Sequence, residues 1–294
     1  MKGKKIIKSS ELVLQPDGRI YHLNLFPNEI ADDIILVGDP GRVDMIAKHF
    51  TDIEVNRQNR EIHTITGYYK GKRVTVLSTG MGTDNLDIVI NELDALANID
   101  LQNRVKKDTH RSLNLIRLGT SGALQADIPL NAFIASEYAI GLDGLLYFYA
   151  QHTKYIDTEM TARFIQYFDY SDSLPRPYAI QSSDSLLSKF QDGFVHGITL
   201  TAPGFYGPQG RELRLAVTYP EFYENIPSFN FKKHRIANFE METSALYGLG
   251  RMLGHKTLTV CVAIANRFKK EFNDSYHDAV EKLIVEVLER VSSK

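Results

Sequence analysis

The sequence predicts an α/β protein, a single domain with a central mixed β-sheet flanked by helices. Three observations lead to it. Apolar runs of strand length recur along the chain, each followed by small or turn-forming residues. Segments with helical apolar spacing lie between them. The length of 294 residues and the 43% hydrophobic content provide for one large core.

Taken in order, Met1 to Ile20 has weak apolar periodicity and is expected to form an arm outside the main fold, leaving residues 21–294 as the domain. Asp33 to Val37 reads as a strand buried on both faces, followed by a glycine turn and a helical run from Val43 to Phe50. Arg73 to Ser78 is the next strand and leads into a helix over Asp84 to Ala97, where Leu86, Val89, Ile90, Leu93 and Leu96 share one face. Asp100 to Asn114 is a charged insert. Strands follow at Asn114 to Leu118 and Ala132 to Ala139, Pro175 to Pro177 mark a turn, and residues near 212–235 form a second insert. The last strand is Leu258 to Ala265. The closing helix carries Val280, Leu283, Ile284, Val287, Leu288 and Val291 on one stripe, with Asp274 or Ser275 as its expected cap. Such alternation implies a mixed or largely parallel sheet with ligand sites at the loops leaving the strands.

Composition removes several function classes. The 34 basic and 36 acidic residues are spread along the chain, giving no electrostatic footprint for nucleic acid. A single cysteine, Cys261, excludes an intrachain disulfide, reads as a buried strand residue, and leaves no metal-ligand spacing. The basic N-terminus lacks the apolar segment of a secretory signal and no stretch is long enough to cross a bilayer, so a cytoplasmic protein is expected. None of the nine histidines stands in HExxH spacing, and neither a GxSxG elbow nor a GxxxxGK[ST] loop is present.

Five segments could carry chemistry. Gly38-Asp39-Pro40-Gly41-Arg42 combines glycines, a helix N-terminus and a guanidinium, the parts of an anion site, or else is an ordinary strand-to-helix turn. In Arg117-Leu118-Gly119-Thr120-Ser121-Gly122 an arginine ends an apolar strand; a charge there requires an anionic ligand or a carboxylate, the alternative being a tight turn with an internal ion pair. Ser78-Thr79-Gly80-Met81-Gly82 lacks the full dinucleotide spacing and is not read as a nicotinamide cofactor site. Asn238 to Leu246 places Glu240, Met241 and Glu242 at the mouth of a helical run, where a carboxylate can accept both hydroxyl protons of a cis-diol or simply favour a helix N-terminus. Gly204 to Arg211 joins Phe205 and Tyr206 to Gln209 and Arg211, the groups needed to hold a flat heterocycle, or else is an exposed turn.

In this order and spacing, the five segments resemble the nucleoside phosphorylase family, which includes uridine phosphorylase and the hexameric purine enzymes, over nearly all of residues 21–292. The resemblance implies a nucleoside phosphorylase-like fold without cofactor, with inorganic phosphate as co-substrate. It implies phosphate binding by Gly38, Arg42, Arg117 and Thr120, joined by Arg60 from a neighbouring subunit. Met241 and Glu242 would hold the ribose, and His22 would reach its 5′ end across the dimer interface. Phe205, Gln209 and Arg211 match the elements that stack on uracil and bind its amide edge, with Ser121 and Gly122 beside the base. Arg117, Thr120, Gln209, Arg211 and Glu242 are thus the expected catalytic set. Purine enzymes of the family carry an acid after the penultimate strand, where this chain reads Ile264-Ala265-Asn266-Arg267, so a pyrimidine nucleoside such as uridine is expected. Glu61 matches the glutamate through which some relatives bind a monovalent cation at the dimer interface, although the accompanying serine position is Asn85. A homodimer or hexamer with shared sites follows. The alternatives are a purine nucleoside phosphorylase, a nucleoside hydrolase, and a catalytically silent nucleoside-binding sensor.

Overall fold

A computed structural model describes residues 5–293. Its strands are β1 (Asp33–Val37), β2 (Thr51–Asn59), β3 (Ile62–Tyr69), β4 (Lys72–Ser78), β5 (Ile99–Asp100), β6 (Val105–Lys106), β7 (Asn114–Ala123), β8 (Phe133–Gly141), β9 (Tyr178–Gln181), β10 (Val195–Thr201), β11 (Asn230–Phe231), β12 (His234–Glu240), β13 (Lys256–Asn266) and β14 (Glu271–Phe272). The helices are α1 (Pro40–Ala47), α2 (Thr83–Asn98), α3 (Thr158–Phe168), α4 (Asp184–Leu187), α5 (Pro220–Asn225), α6 (Thr243–Met252) and α7 (His277–Ser292).

The sheet is mixed. β1 lies parallel to both β4 and β7, and β13 joins β7 in parallel, so these strands are flanked by chain on both sides and read as continuous apolar runs. β8 turns against β13, and β10 and β12 follow in parallel with β8. β12 then pairs antiparallel with the far end of β7, Asn238 opposite Ala123 and Phe239 opposite Gly122. Strands β7, β13, β8, β10 and β12 therefore close on themselves, while β4, β3 and β2 extend the other edge. One face is covered by α2 and α6, which share a core with Leu86, Leu93, Leu246 and Tyr247; the other is covered by α1 and α7 through Val43, Ile46, Val280 and Leu283.

Several expectations need correction. β7 does not end near Arg117 in a tight turn but runs on to Ala123, because Thr120 and Ser121 are laddered to β13 and the last residues to β12. The segment expected as an arm outside the main fold buries Leu12 and Ile20 in the core beside α2. The insert after Asp100 carries the β5–β6 hairpin. Neither Asp274 nor Ser275 caps the last helix: Asn273 accepts the Ser275 amide at 2.9 Å in a turn before it, and Tyr276 holds the N-cap position without a side-chain bond.

Candidate active site

A cavity of about 900 Å³ gathers residues that are far apart in sequence: Gly38 and Arg42 after β1, Arg117 and Thr120–Gly122 on β7, Phe205, Gln209 and Arg211 on the β10–α5 loop, Glu240 to Glu242 between β12 and α6, and Asn266 and Arg267 at the end of β13. The closure of β12 onto β7 is what brings the second and fourth of these groups together.

The charged floor begins with Arg117, buried among β-strands with its guanidinium folded back over Gly119. A Cβ at Gly119 would stand 2.1 Å from Arg117 Nη1, so the glycine is required for this pose rather than for a turn. Arg117 Nη1 is 3.3 Å from Glu240 Oε2, and Nη2 donates to Glu242 Oε2. Glu240 is itself held by the amides of Glu242 (2.9 Å) and Thr243 and by the Thr201 hydroxyl (2.7 Å). Glu242 also accepts from the Gly82 amide at 2.9 Å, which gives the Gly80-Met81-Gly82 turn its task. Both of its glycines have positive φ, as that turn requires. Burial raises the Glu242 carboxyl above its usual range against the opposing pull of Arg117.

Arg42 differs from Arg117. Among the described residues it has no carboxylate within ion-pairing distance, and burial together with the neighbouring Arg117 guanidinium lowers its pKa. The two guanidiniums thus differ in setting: Arg117 is met by two carboxylates, whereas Arg42 lines the cavity with Asp39 as its nearest acidic influence and no ion pair of its own among the described residues. Asp39 caps α1 and accepts the Gly41 amide at 2.9 Å, so that part of the expected anion-binding helix end is already occupied.

At the opposite end Arg211 lies 3.8 Å over the Phe205 ring and donates to Phe205 O and to Gln209 Oε1, each at 2.6 Å. Burial and the nearby Arg267 lower Arg211 to about 10, which leaves it charged at neutral pH. Ser121 Oγ accepts from Asn238 at 2.9 Å, and the stem of Arg267 crosses Gly122, where a Cβ would be 3.2 Å away. Asn266 is fully committed: its Nδ2 donates to Gln125 O and Ile128 O, and its Oδ1 accepts the Lys269 amide.

Two expected site residues lie outside the cavity lining. Arg60 is exposed in the β2–β3 turn with φ +54°, and His22 is half-buried with Nδ1 2.6 Å from Glu92. They share one surface, because Asn59, next to Arg60, donates to the His22 carbonyl at 2.8 Å. Glu61 reaches the cavity rim, with its stem and the Asn85 amide both over Gly80.

A model of the phosphorylase superfamily matches residues 32–292. The chain belongs to the phosphorylase superfamily. Within it, a uridine phosphorylase of Thermococcus kodakarensis is 31% identical over 266 residues, spanning 90% of this chain and 83% of the relative. A DeoD-type purine nucleoside phosphorylase of Bacillus subtilis is 26% identical over 267 residues, spanning 88% and 95%. The solved structure of a Trypanosoma brucei nucleoside phosphorylase, described as showing uridine phosphorylase activity, superposes with a TM-score of 0.85 at 32% identity over 96% of this chain and all of that one.

Within the superfamily fold, Arg267 is the cavity residue that sequence reasoning passed over. Asn266-Arg267 stands out in the sequence for the acid it lacks, yet Arg267 itself lines the cavity, near Arg211, with Nη1 buried and without a hydrogen-bond partner. An arginine at the end of an apolar strand was the available signal, as it was for Arg117.

Two other features lie away from this site. A second cavity, of about 720 Å³, sits between the N-terminal segment and the β5–β6 hairpin, but its cations are spent on carbonyls, Arg104 on Leu12 and Lys107 on Ala97. Asp94, His110 and His255 place ligand-type atoms within 4.8 Å of one another. His255 Nδ1 accepts the Leu113 amide at 3.2 Å, which puts the ring proton on Nε2, 3.3 Å from Asp94 Oδ1 but without a hydrogen bond to it, so that nitrogen offers no lone pair to a metal. No described helix is long and apolar enough to cross a membrane.

Proposed function

We propose that the cavity carries out phosphorolysis of a pyrimidine nucleoside, converting uridine and inorganic phosphate to uracil and ribose 1-phosphate. The observation that carries the reading is Arg42, lining the cavity without an ion pair of its own among the described residues, beside Arg117, two guanidiniums placed to meet a multiply charged anion. Gly38 and Thr120 complete the phosphate end on this chain, and Arg60 of the partner subunit would supply the third guanidinium.

Cleavage of the C1′–N1 bond leaves its electron pair on uracil and positive charge on the ribose, and a phosphate oxygen then forms the new bond to C1′. Arg211 and Gln209 stabilise the departing uracil anion, which takes its proton from solvent, while Phe205 packs on the ring and Ser121 and Gly122 flank it. Met241 and Glu242 orient the ribose, with His22 of the partner subunit at its 5′ end. Holding both reactants together provides much of the acceleration. The uracil reading draws support from Asn266, which stands where purine enzymes carry an acid and spends both amide N–H groups on Gln125 O and Ile128 O, leaving no proton for a purine. Phosphate is the co-substrate and no further cofactor is involved in this reading. A monovalent cation would meet Glu61 at the subunit interface, although Asn85 turns an amide NH₂ over Gly80 where an oxygen ligand would be wanted. A cytoplasmic salvage or catabolic role fits these chemistries.

The deciding experiment follows uracil release from uridine with and without phosphate. Release is expected to require phosphate and to yield ribose 1-phosphate; equal turnover in phosphate-free buffer would point to hydrolysis, and no turnover in either buffer to a silent sensor.

The shared-site arrangement, in a homodimer or a hexamer built from dimers, makes a second prediction. Arg60→Ala and Arg117→Ala proteins should each be inactive, and mixing them should restore up to about a quarter of parental activity, the share of sites with both residues intact in a random dimer. Full activity in a sedimenting monomer would contradict it.

A further inference from the structure

The insert at 212–235 matches none of the motifs, yet it holds the loop that carries Gln209 and Arg211. Its helix α5 is anchored in an aromatic cluster: the Phe222 ring lies 4.8 Å from Phe168 and 5.8 Å from Tyr170, and Ile226 and Phe229 beyond it are fully buried. From that anchor Tyr223 turns toward the cavity loop. Its hydroxyl donates to the Gly207 carbonyl at 2.8 Å. Its ring lies flat against Gly210, where φ is +68° and a Cβ would stand 2.5 Å from the ring. Gly207 and Gly210 bracket Gln209, and the Gly210 and Arg211 amides close the same turn on Gly207 O and Tyr206 O. One phenol thus touches both ends of the short turn whose middle residue is buried against Arg211.

We propose that Tyr223 is a positioning residue for base recognition, fixing the turn from which Gln209 and Arg211 reach the cavity. The proposal rests on the reading of Gly204 to Arg211 as the base loop. Tyr223 also lies near enough to Arg267 to couple with it electrostatically, and burial raises its hydroxyl and keeps it a donor. The insert then supplies this chain with a brace for the part of the site that distinguishes one base from another.

Tyr223→Phe removes only the hydroxyl. The loss of one hydrogen bond predicts a roughly three- to tenfold fall in kcat/KM for uridine, with the KM for phosphate unchanged. Hydrogen exchange at the Gly210 and Arg211 amides should quicken, a readout that needs no turnover. In an Arg211→Ala background the same substitution should cost less, because one of the two groups it positions is gone. Equal fold-losses in both backgrounds, a matching rise in the phosphate KM, or unchanged exchange at these amides would overturn the role of Tyr223 alone. An Arg211→Ala protein that cleaves uridine normally would reject the base-loop reading, and the role of Tyr223 with it.

Discussion

Arg117→Ala is expected to lose both activity and stability, and the two losses have separable causes. Removing the guanidinium leaves two buried carboxylates, Glu240 and Glu242, without the cation that both now face. Breaking a buried pair from one side costs about 3 to 5 kcal/mol, which for a chain of this size corresponds to a fall in Tm of roughly 5 to 8 °C. Activity should fall at least on the order of a hundred- to a thousandfold, since a preorganised donor to the attacking anion is lost. Adding Glu242→Gln to Arg117→Ala removes one stranded charge and should recover part of the Tm without recovering turnover. An Arg117→Ala protein that melts with the parent would show that the charges are not packed as described; one that turns over normally would remove Arg117 from the phosphate site.

Arg211→Ala should behave in the opposite way with respect to stability. Among the described residues Arg211 has no carboxylate partner, and it sits near Arg267, each of them desolvated by burial. Its removal relieves a like-charge contact, so Tm should hold or rise slightly. The chemical step, in contrast, should lose the charged donor that the proposed mechanism directs at the departing base, worth roughly 2.7 to 4 kcal/mol or a hundred- to a thousandfold in kcat. Gln209→Ala should weigh more on the uridine KM, and inosine should remain a poor substrate for the parent protein. Uridine turnover left intact by Arg211→Ala, or a preference for inosine, would end the pyrimidine assignment while leaving phosphorolysis standing. The same residue type is therefore expected to govern stability at one end of the cavity and only rate at the other.

These contrasts also show what could be read without coordinates. Strands such as Asp33–Val37 and helices such as α2 and α7 were legible because burial on both faces or on one stripe leaves a direct apolar signature. β10 and β12 were not, since glycine, threonine, histidine and asparagine interrupt their runs and only their neighbours make them strands. The Arg117 motif was correctly singled out as needing a counter-charge, but the glycines after it suggested a turn. They are in fact the bare stretches of strand over which Arg117 and Arg267 lie, a purpose that depends on residues distant in the chain. Leu12 and Ile20 were overlooked for a simpler reason: two anchoring side chains make no period. The insert around Tyr223 has no signature of function because its contribution is made by contact with a backbone carbonyl and a glycine.

The return of β12 to β7 has a consequence in time as well as in space. The two register pairs at Gly122 and Ala123, with the Asn238–Ser121 and Arg117–Glu240 contacts, connect segments more than a hundred positions apart, between which β8 and β10 must already be in place. Closure over so long a loop gains nothing until the intervening strands have formed. On refolding from denaturant, the helical signal of α2 and α7 should therefore recover first, and uridine cleavage last, because Arg117 meets Glu240 and Glu242 only when the ring shuts. In this protein catalytic competence is the final report that the chain has folded.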